Sequence, residues 1–224
     1  MGLILRIDLH RADTMWLIEK LSLYLKTIEQ ALDESRQADR DRMESYIISS
    51  HDDLDYKNEE LHMHNLLFEQ DFPSKVRYSF LTLAYTVFED RTKALCGEFI
   101  KRNLVTGTRF DKRSNESHLQ SVRRFLTIEY QSKYVAPDIW DELTDFSLIR
   151  NCIVHANGNL SDMRNLRRFH DIVVKTVGLS LDKDGYIRVE LVYCQQIISL
   201  MEKFFDDIFE AAGFGPAETV VERT

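Results

Sequence analysis

Apolar residues recur at intervals of three and four through most of the chain. Between residues 14 and 33, Leu17, Leu21, Leu25, Ile28 and Leu32 keep this spacing and predict one buried helix face. From Asp39 to Asp71 charge rises and aromatics thin out, which predicts a short helix over 43–50 and then an acidic loop over 51–55. Pro73 and Ser74 open the next predicted helix, which runs to about Leu104 through Val76, Phe80, Leu83, Val87, Ala94 and Leu95. Gly107 and the polar residues 111–117 form a connection, and 119–130 is helical again. Pro137 sits at a first-turn position, where a residue without an N–H loses nothing. Its helix is predicted to end at Asn157-Gly158, a natural C-cap. Ser161-Asp162 caps a helix that stops at Gly178. Residues 179–190, folded about Asp182-Lys183-Asp184-Gly185, predict a β-hairpin. A last helix, 191–212, carries Val192, Ile197, Ile198, Leu200, Met201, Phe204, Phe205, Ile208 and Phe209. The predicted fold is all-α, a helical bundle with one small hairpin. An N-terminal helical extension covers 1–72, the main domain 73–212, and a flexible tail 213–224.

Composition narrows this picture. With 8 Gly and 3 Pro among 224 residues, the chain has too few turn formers for an all-β sandwich or a collagen-like or disordered chain. Cys96, Cys152 and Cys194 form no Cys-x-x-Cys pair and lie in apolar helical patterns, so neither a zinc ribbon nor a disulfide framework is expected. No run of about 18 apolar residues exists for a membrane span, and the N-terminal ten residues do not form a signal peptide. Position 6 is Arg rather than the Ser or Thr of a myristoylation site. A cytoplasmic protein without membrane contact is expected.

The formal net charge of −8 is unevenly spread. Residues 1–72 hold 8 Lys/Arg against 16 acids, whereas residues 101–175 hold 13 Lys/Arg against nine acids. Global acidity therefore does not exclude a nucleic-acid partner at the basic centre. Arg123 and Arg124, with Arg164, Arg167 and Arg168, flank the helix after Pro137 and are candidates for a phosphate-tracking surface. A solvated helix face, with Arg167 and Asp171 paired one turn apart, is the plain alternative.

That helix is the most informative segment. Ile139, Leu143, Phe146, Ile149, Ile153 and Ala156 define its core stripe. Asn151 and His155 lie one turn apart on the polar flank, and Arg150 lies roughly 140° around the axis from His155. A guanidinium beside an apolar stripe must reach out on its stem or meet an acceptor. Arg150-Asn151-Cys152-Ile153-Val154-His155 is Arg followed by four residues and His, with Asn directly after Arg. In this the chain resembles the HEPN superfamily, whose motif is Arg, four to six residues, then His. The surrounding 146–158 is similar to a HEPN motif helix with its cap. Ala84-Tyr85-Thr86-Val87-Phe88-Glu89 is similar to the aromatic-acidic helix of bacterial members.

The resemblance implies a HEPN-like bundle and RNA cleavage without a metal or other cofactor, in a composite site at a homodimer interface. His155 would take the proton of a ribose 2′-OH, Arg150 would clamp the phosphate, and Asn151 would orient either. It implies roles as a toxin or phage-defence effector, with an antitoxin or other protein partner. Toxins silenced by nucleotide addition carry Tyr two residues after the motif His; this chain has Asn157 there, a departure from that subgroup. Glu89 is a candidate supporting carboxylate for Arg150 or His155, against a local pairing with Lys93. Two other readings stay open: a non-catalytic HEPN-like module binding RNA, a nucleotide or a protein, and a helical scaffold whose Arg-x4-His is accidental. His51, His62 and His64 lack the spacing of a metal site, because alternate helix positions face different ways. No GxxxxGK[ST], GxGxxG or GxSxG motif occurs.

Overall fold

The computed structural model describes residues 3–6, 8–49, 54–105, 109–111, 113–129, 135–214 and 218–221. In chain order the elements are strand β1 (Leu3–Arg6), helices α1 (Leu9–Ser49), α2 (Leu54–Asn65), α3 (Phe72–Lys101), α4 (His118–Arg124), α5 (Pro137–Ala156) and α6 (Leu166–Lys175), strands β2 (Leu179–Leu181) and β3 (Ile187–Val189), helix α7 (Leu191–Ala211) and strand β4 (Glu218–Val221). The fold is all-α with a small hairpin, as the periodicity predicts.

Helix α1 joins the two helices expected over 14–33 and 43–50. The polar stretch between them stays helical through side-chain pairs one turn apart: Gln30–Glu34 at 2.9 Å, Arg36–Asp33 at 3.3 Å, Gln37–Asp41 at 2.8 Å and Arg42–Asp39 at 3.2 Å. Residues 51–53 of the expected acidic loop lie outside the described residues. A π-helical segment, Leu66–Asp71, leads from α2 straight into α3, and the Phe72 N–H donates to the Leu67 carbonyl five residues back. A second π-helical segment, Phe125–Glu129, follows α4.

The chain packs as two compact units, each drawing on residues from both sides of position 72. The first comprises Met1–Leu21, Leu83–Leu148 and Gln196–Thr224. Its core is aromatic: Phe88, Phe99, Phe125, Phe146, Phe204, Phe205, Phe209 and Phe214 are fully buried. Phe204 meets Phe88 and Trp140 edge-on, each at 5.3 Å between centroids, the geometry that ring quadrupoles favour. Strand β1 pairs antiparallel with β4, Leu3 opposite Val221. The expectation of a loose tail from 213 fails at Phe214. Its ring packs on Phe99, its carbonyl accepts from Arg11 Nη1 at 3.0 Å, and the Arg102 guanidinium lies 3.9 Å from its centroid.

The second unit comprises Ser22–Thr82 and Ile149–Gln195. Leu25, Leu32, Phe80, Leu81, Phe169, Ile172, Val173, Ile187 and Val189 are among its buried residues. The Arg77 guanidinium pairs with Glu29 at 2.6 Å, both only 12% exposed, and also donates to the Val189 carbonyl at 3.1 Å. Strands β2 and β3 form the predicted hairpin, Leu179 opposite Val189.

Candidate functional site

Helix α5 places the motif as its apolar period requires. Ile149, Cys152, Ile153 and Ala156 are buried, Arg150 and Asn151 are half-buried, and Val154 and His155 are exposed. Arg150 Nη1 donates to Asn151 Oδ1 at 3.0 Å, so the neighbouring amide helps to fix the guanidinium. His155 stands in the last turn of the helix. Asn157 and Gly158 terminate the helix in the left-handed region, at φ +50° and +82°. The Gly158 N–H then reaches the Cys152 carbonyl at 3.1 Å, closing a Schellman-type cap. The Cys152 thiol faces the Asn159 carbonyl at 3.7 Å, and burial pushes its pKa up to about 11.

The five flanking arginines do not act alike. Arg124 donates to Glu116 at 2.9 Å through Nε and to the Asp111 carbonyl at 2.7 Å, so it braces the start of α4. These bonds hold the Glu116 carboxyl down to about 2. Arg123 is exposed, its guanidinium 5.7 Å from the Trp140 ring centroid. Both belong to the first unit. Arg164, Arg167 and Arg168 are exposed in the second unit, which also holds the motif. Glu89 is half-buried on α3 in the first unit; among the described residues it makes no ion pair with Lys93. His64 bonds Asp39 at 2.9 Å and stacks on Phe68, His62 is exposed, and His51 lies outside the described residues. No group of three His, Cys, Asp or Glu side chains among the described residues is placed to hold a metal.

Periodicity gave no sign of a cavity of about 670 Å³ in the second unit. The end of α5, the start of α3, the π-helical segment before it and the hairpin line it, with Lys75, Tyr78, Asn157 and Tyr186 among the lining residues. Lys75 Nζ donates to the Asn157 carbonyl at 3.1 Å and to its Oδ1 at 3.3 Å. It also lies 4.6 Å from the Tyr78 ring centroid and 5.1 Å from that of Tyr186. Burial lowers its pKa below the ordinary lysine value.

The walls are held by hydrogen bonds within the unit. Tyr78 Oη donates to the Ile187 carbonyl, and the Val189 N–H donates to Ser74 Oγ at 3.0 Å. The Ile187 N–H reaches the Gly158 carbonyl at 2.9 Å, tying the hairpin to the end of α5. Asp182 Oδ1 accepts from the N–H groups of Asp184 and Tyr186, and its other oxygen pairs with Arg188 at 3.1 Å. The helix from Pro73, the end of α5 and the hairpin are visible in the sequence pattern, whereas the π-helical segment is not; that they meet at Lys75 is a tertiary fact with no periodic signature.

Comparison with known protein families, with curated proteins and with solved structures finds no match to this chain. No helix among the described residues is long and apolar enough to cross a membrane.

Proposed function

We propose that the chain is a metal-independent endoribonuclease of HEPN type, working as a homodimer whose motif helices form one composite site. The observation that carries the reading is the disposition of α5: the Arg150 guanidinium is held by Asn151, and the His155 imidazole stands exposed one turn beyond that amide. The His155 imidazole, as general base, takes the proton of a ribose 2′-OH. The 2′-oxygen attacks the adjacent phosphorus, the bond to the 5′-oxygen breaks, and that oxygen leaves and is protonated. The products are a 2′,3′-cyclic phosphate and a 5′-hydroxyl. Arg150 stabilises the charge that builds on the phosphoryl oxygens.

Two features of the second unit support an RNA-binding dimer. Arg164, Arg167 and Arg168 expose cationic groups for phosphates. Leu166, Val174 and Val177 on α6 and beyond it are 50%, 71% and 66% exposed, apolar side chains that a subunit contact would cover. A toxin or defence effector, restrained by a protein partner, is the setting in which we place this activity.

The test is incubation of RNA with the full chain in excess chelator, wild type against His155→Ala. Chelator-insensitive cleavage leaving a cyclic phosphate is expected, with a loss of about 100-fold or more in the variant. Cleavage that survives His155→Ala refutes the site.

A further inference from the structure

The cavity beside the end of α5 contains a cation that no carboxylate among the described residues pairs with directly, although Asp71 and Asp182 lie near enough to favour its charge. Lys75 sits on its wall, and its two hydrogen-bond acceptors are both neutral oxygens of Asn157. Among the described residues it forms no ion pair, although Asp71, Asp182 and Asp184 line the same cavity. Two of those carboxylates are already committed, since Asp71 and Asp182 both pair with Arg188. The Lys75 side chain is exposed, its ammonium beside two aromatic rings and held only by amide oxygens, so it is open to an anion that enters the cavity.

The rest of the wall specifies what the anion is attached to. Leu66, Leu67, Phe68 and Ile187 supply apolar surface, and Tyr78 and Tyr186 add aromatic faces. The volume, about 670 Å³, falls within the roughly 300–1,000 Å³ of small-molecule sites and far exceeds what a bare phosphate fills. At the rim, the Asn157 amide and the Asp184 carboxylate offer a donor and acceptors to a ligand edge. A flat ring with hydrogen-bonding edges and one anionic group answers each of these features. An acyl chain would leave the carboxylates facing hydrocarbon, and an inorganic anion would leave the aromatic wall wet.

We infer that this cavity is a nucleotide subsite, in which a nucleobase lies against the aromatic wall at Tyr186 while Lys75 binds the phosphate. Asn157 is two residues from His155, at most about 7 Å along the backbone. The subsite therefore adjoins the motif, and assigning its nucleotide to an RNA strand rests on the ribonuclease reading. In that strand it holds the base next to the cleaved bond and sets a sequence preference. The walls need no rearrangement to do so, because Tyr78, Ser74, Gly158 and Asp182 already lock the hairpin in place.

The experiment is calorimetric titration of the full chain, in low salt, with AMP, GMP, CMP, UMP and inorganic phosphate. At least one nucleotide is expected to bind with Kd below about 1 mM and at least about tenfold tighter than phosphate. Lys75→Gln and Tyr186→Ala should each weaken it by roughly tenfold, while Lys75→Arg retains most of the affinity. Circular dichroism checks the fold of each variant. No nucleotide binding by wild type, phosphate binding as tight as any nucleotide, or folded Lys75→Gln and Tyr186→Ala chains that bind unchanged would overturn the subsite, whatever the cleavage assay shows. Nucleotide binding in a wild-type chain that cleaves no RNA overturns the ribonuclease reading and leaves the subsite standing. Competition between that nucleotide and a short single-stranded RNA is expected; its absence overturns the strand assignment and confines the site to free nucleotides.

Discussion

Replacing Gly158 by Ala tests the junction between the motif helix and the hairpin. Two costs arise there. At φ +82° an L-residue is disfavoured by about 1–2 kcal/mol. The new Cβ would also stand 2.1 Å from Tyr78 Oη and 2.6 Å from Cζ, well inside any real contact. The Tyr78 ring is buried and its hydroxyl is committed to the Ile187 carbonyl, so it cannot yield without losing that bond. An unmade bond at a buried carbonyl costs a further ~1–3 kcal/mol. The expected total is about 2–5 kcal/mol, and Tyr78→Phe alone should cost about 1–3 kcal/mol. Urea denaturation followed by far-UV dichroism and by fluorescence measures both, and coincident transitions license the two-state treatment. Because both substitutions break the same bond, the double variant should lose less than the two singles together, by about 1 kcal/mol. A Gly158→Ala loss under about 0.5 kcal/mol, or strict additivity with Tyr78→Phe, refutes the described packing.

Three further outcomes follow from the ion pairs and thiols. Glu116 has its pKa depressed to about 2, chiefly by Arg124, so its pairing contributes above the ordinary carboxylate pKa and is lost as pH falls through the folded value. Arg124→Ala should return the Glu116 titration, followed by carbon NMR, toward about 4.3, and an unmoved titration contradicts the assignment. Glu29→Leu strands the Arg77 guanidinium and should cost about 3 kcal/mol in urea denaturation, whereas Arg77→Met with Glu29→Leu should cost less; the reverse order refutes the pairing. All three cysteines are buried, and burial raises the thiols of Cys152 and Cys194 to about 11 and about 12. A thiol reagent at pH 8 should therefore titrate none of them until denaturant is added, and prompt labelling of the folded chain sinks that expectation.

The parts of the fold that follow from local chemistry are legible in the sequence. Pro137 at the start of α5, Asn157-Gly158 at its end and Gly178 before β2 each mark a boundary through backbone geometry alone. Charged stretches mislead. Residues 33–42 have almost no apolar stripe and suggest a break, yet pairs one turn apart keep α1 continuous. Pro73 suggests a helix start, but a π-helical segment precedes it directly, and a widened turn leaves no sequence period to detect. The motif residues could be placed on faces of α5 from the 3.6 period, exposed His155 and half-buried Arg150 included. Arg124 could not be told from Arg123, because its acceptors on Glu116 and Asp111 lie in a loop with no periodicity. The convergence of Lys75, Tyr78, Asn157 and Tyr186 depends on how the hairpin docks, which is a property of three separate segments at once.

The bonds from Ile187 to Gly158 and from Leu160 to Gly185 make the hairpin an anchor for the last turn of α5. Its consequence is a fixed ruler. With the helix end pinned and Ile149, Cys152 and Ile153 seated in the core, a residue inserted between Arg150 and His155 cannot be absorbed by sliding. It would turn everything on one side of the insertion by roughly 100°, driving either the arginine or the histidine off its face. Arg-to-His spacing in this chain is thereby set by the docking of a hairpin some thirty residues downstream, rather than by the motif helix itself.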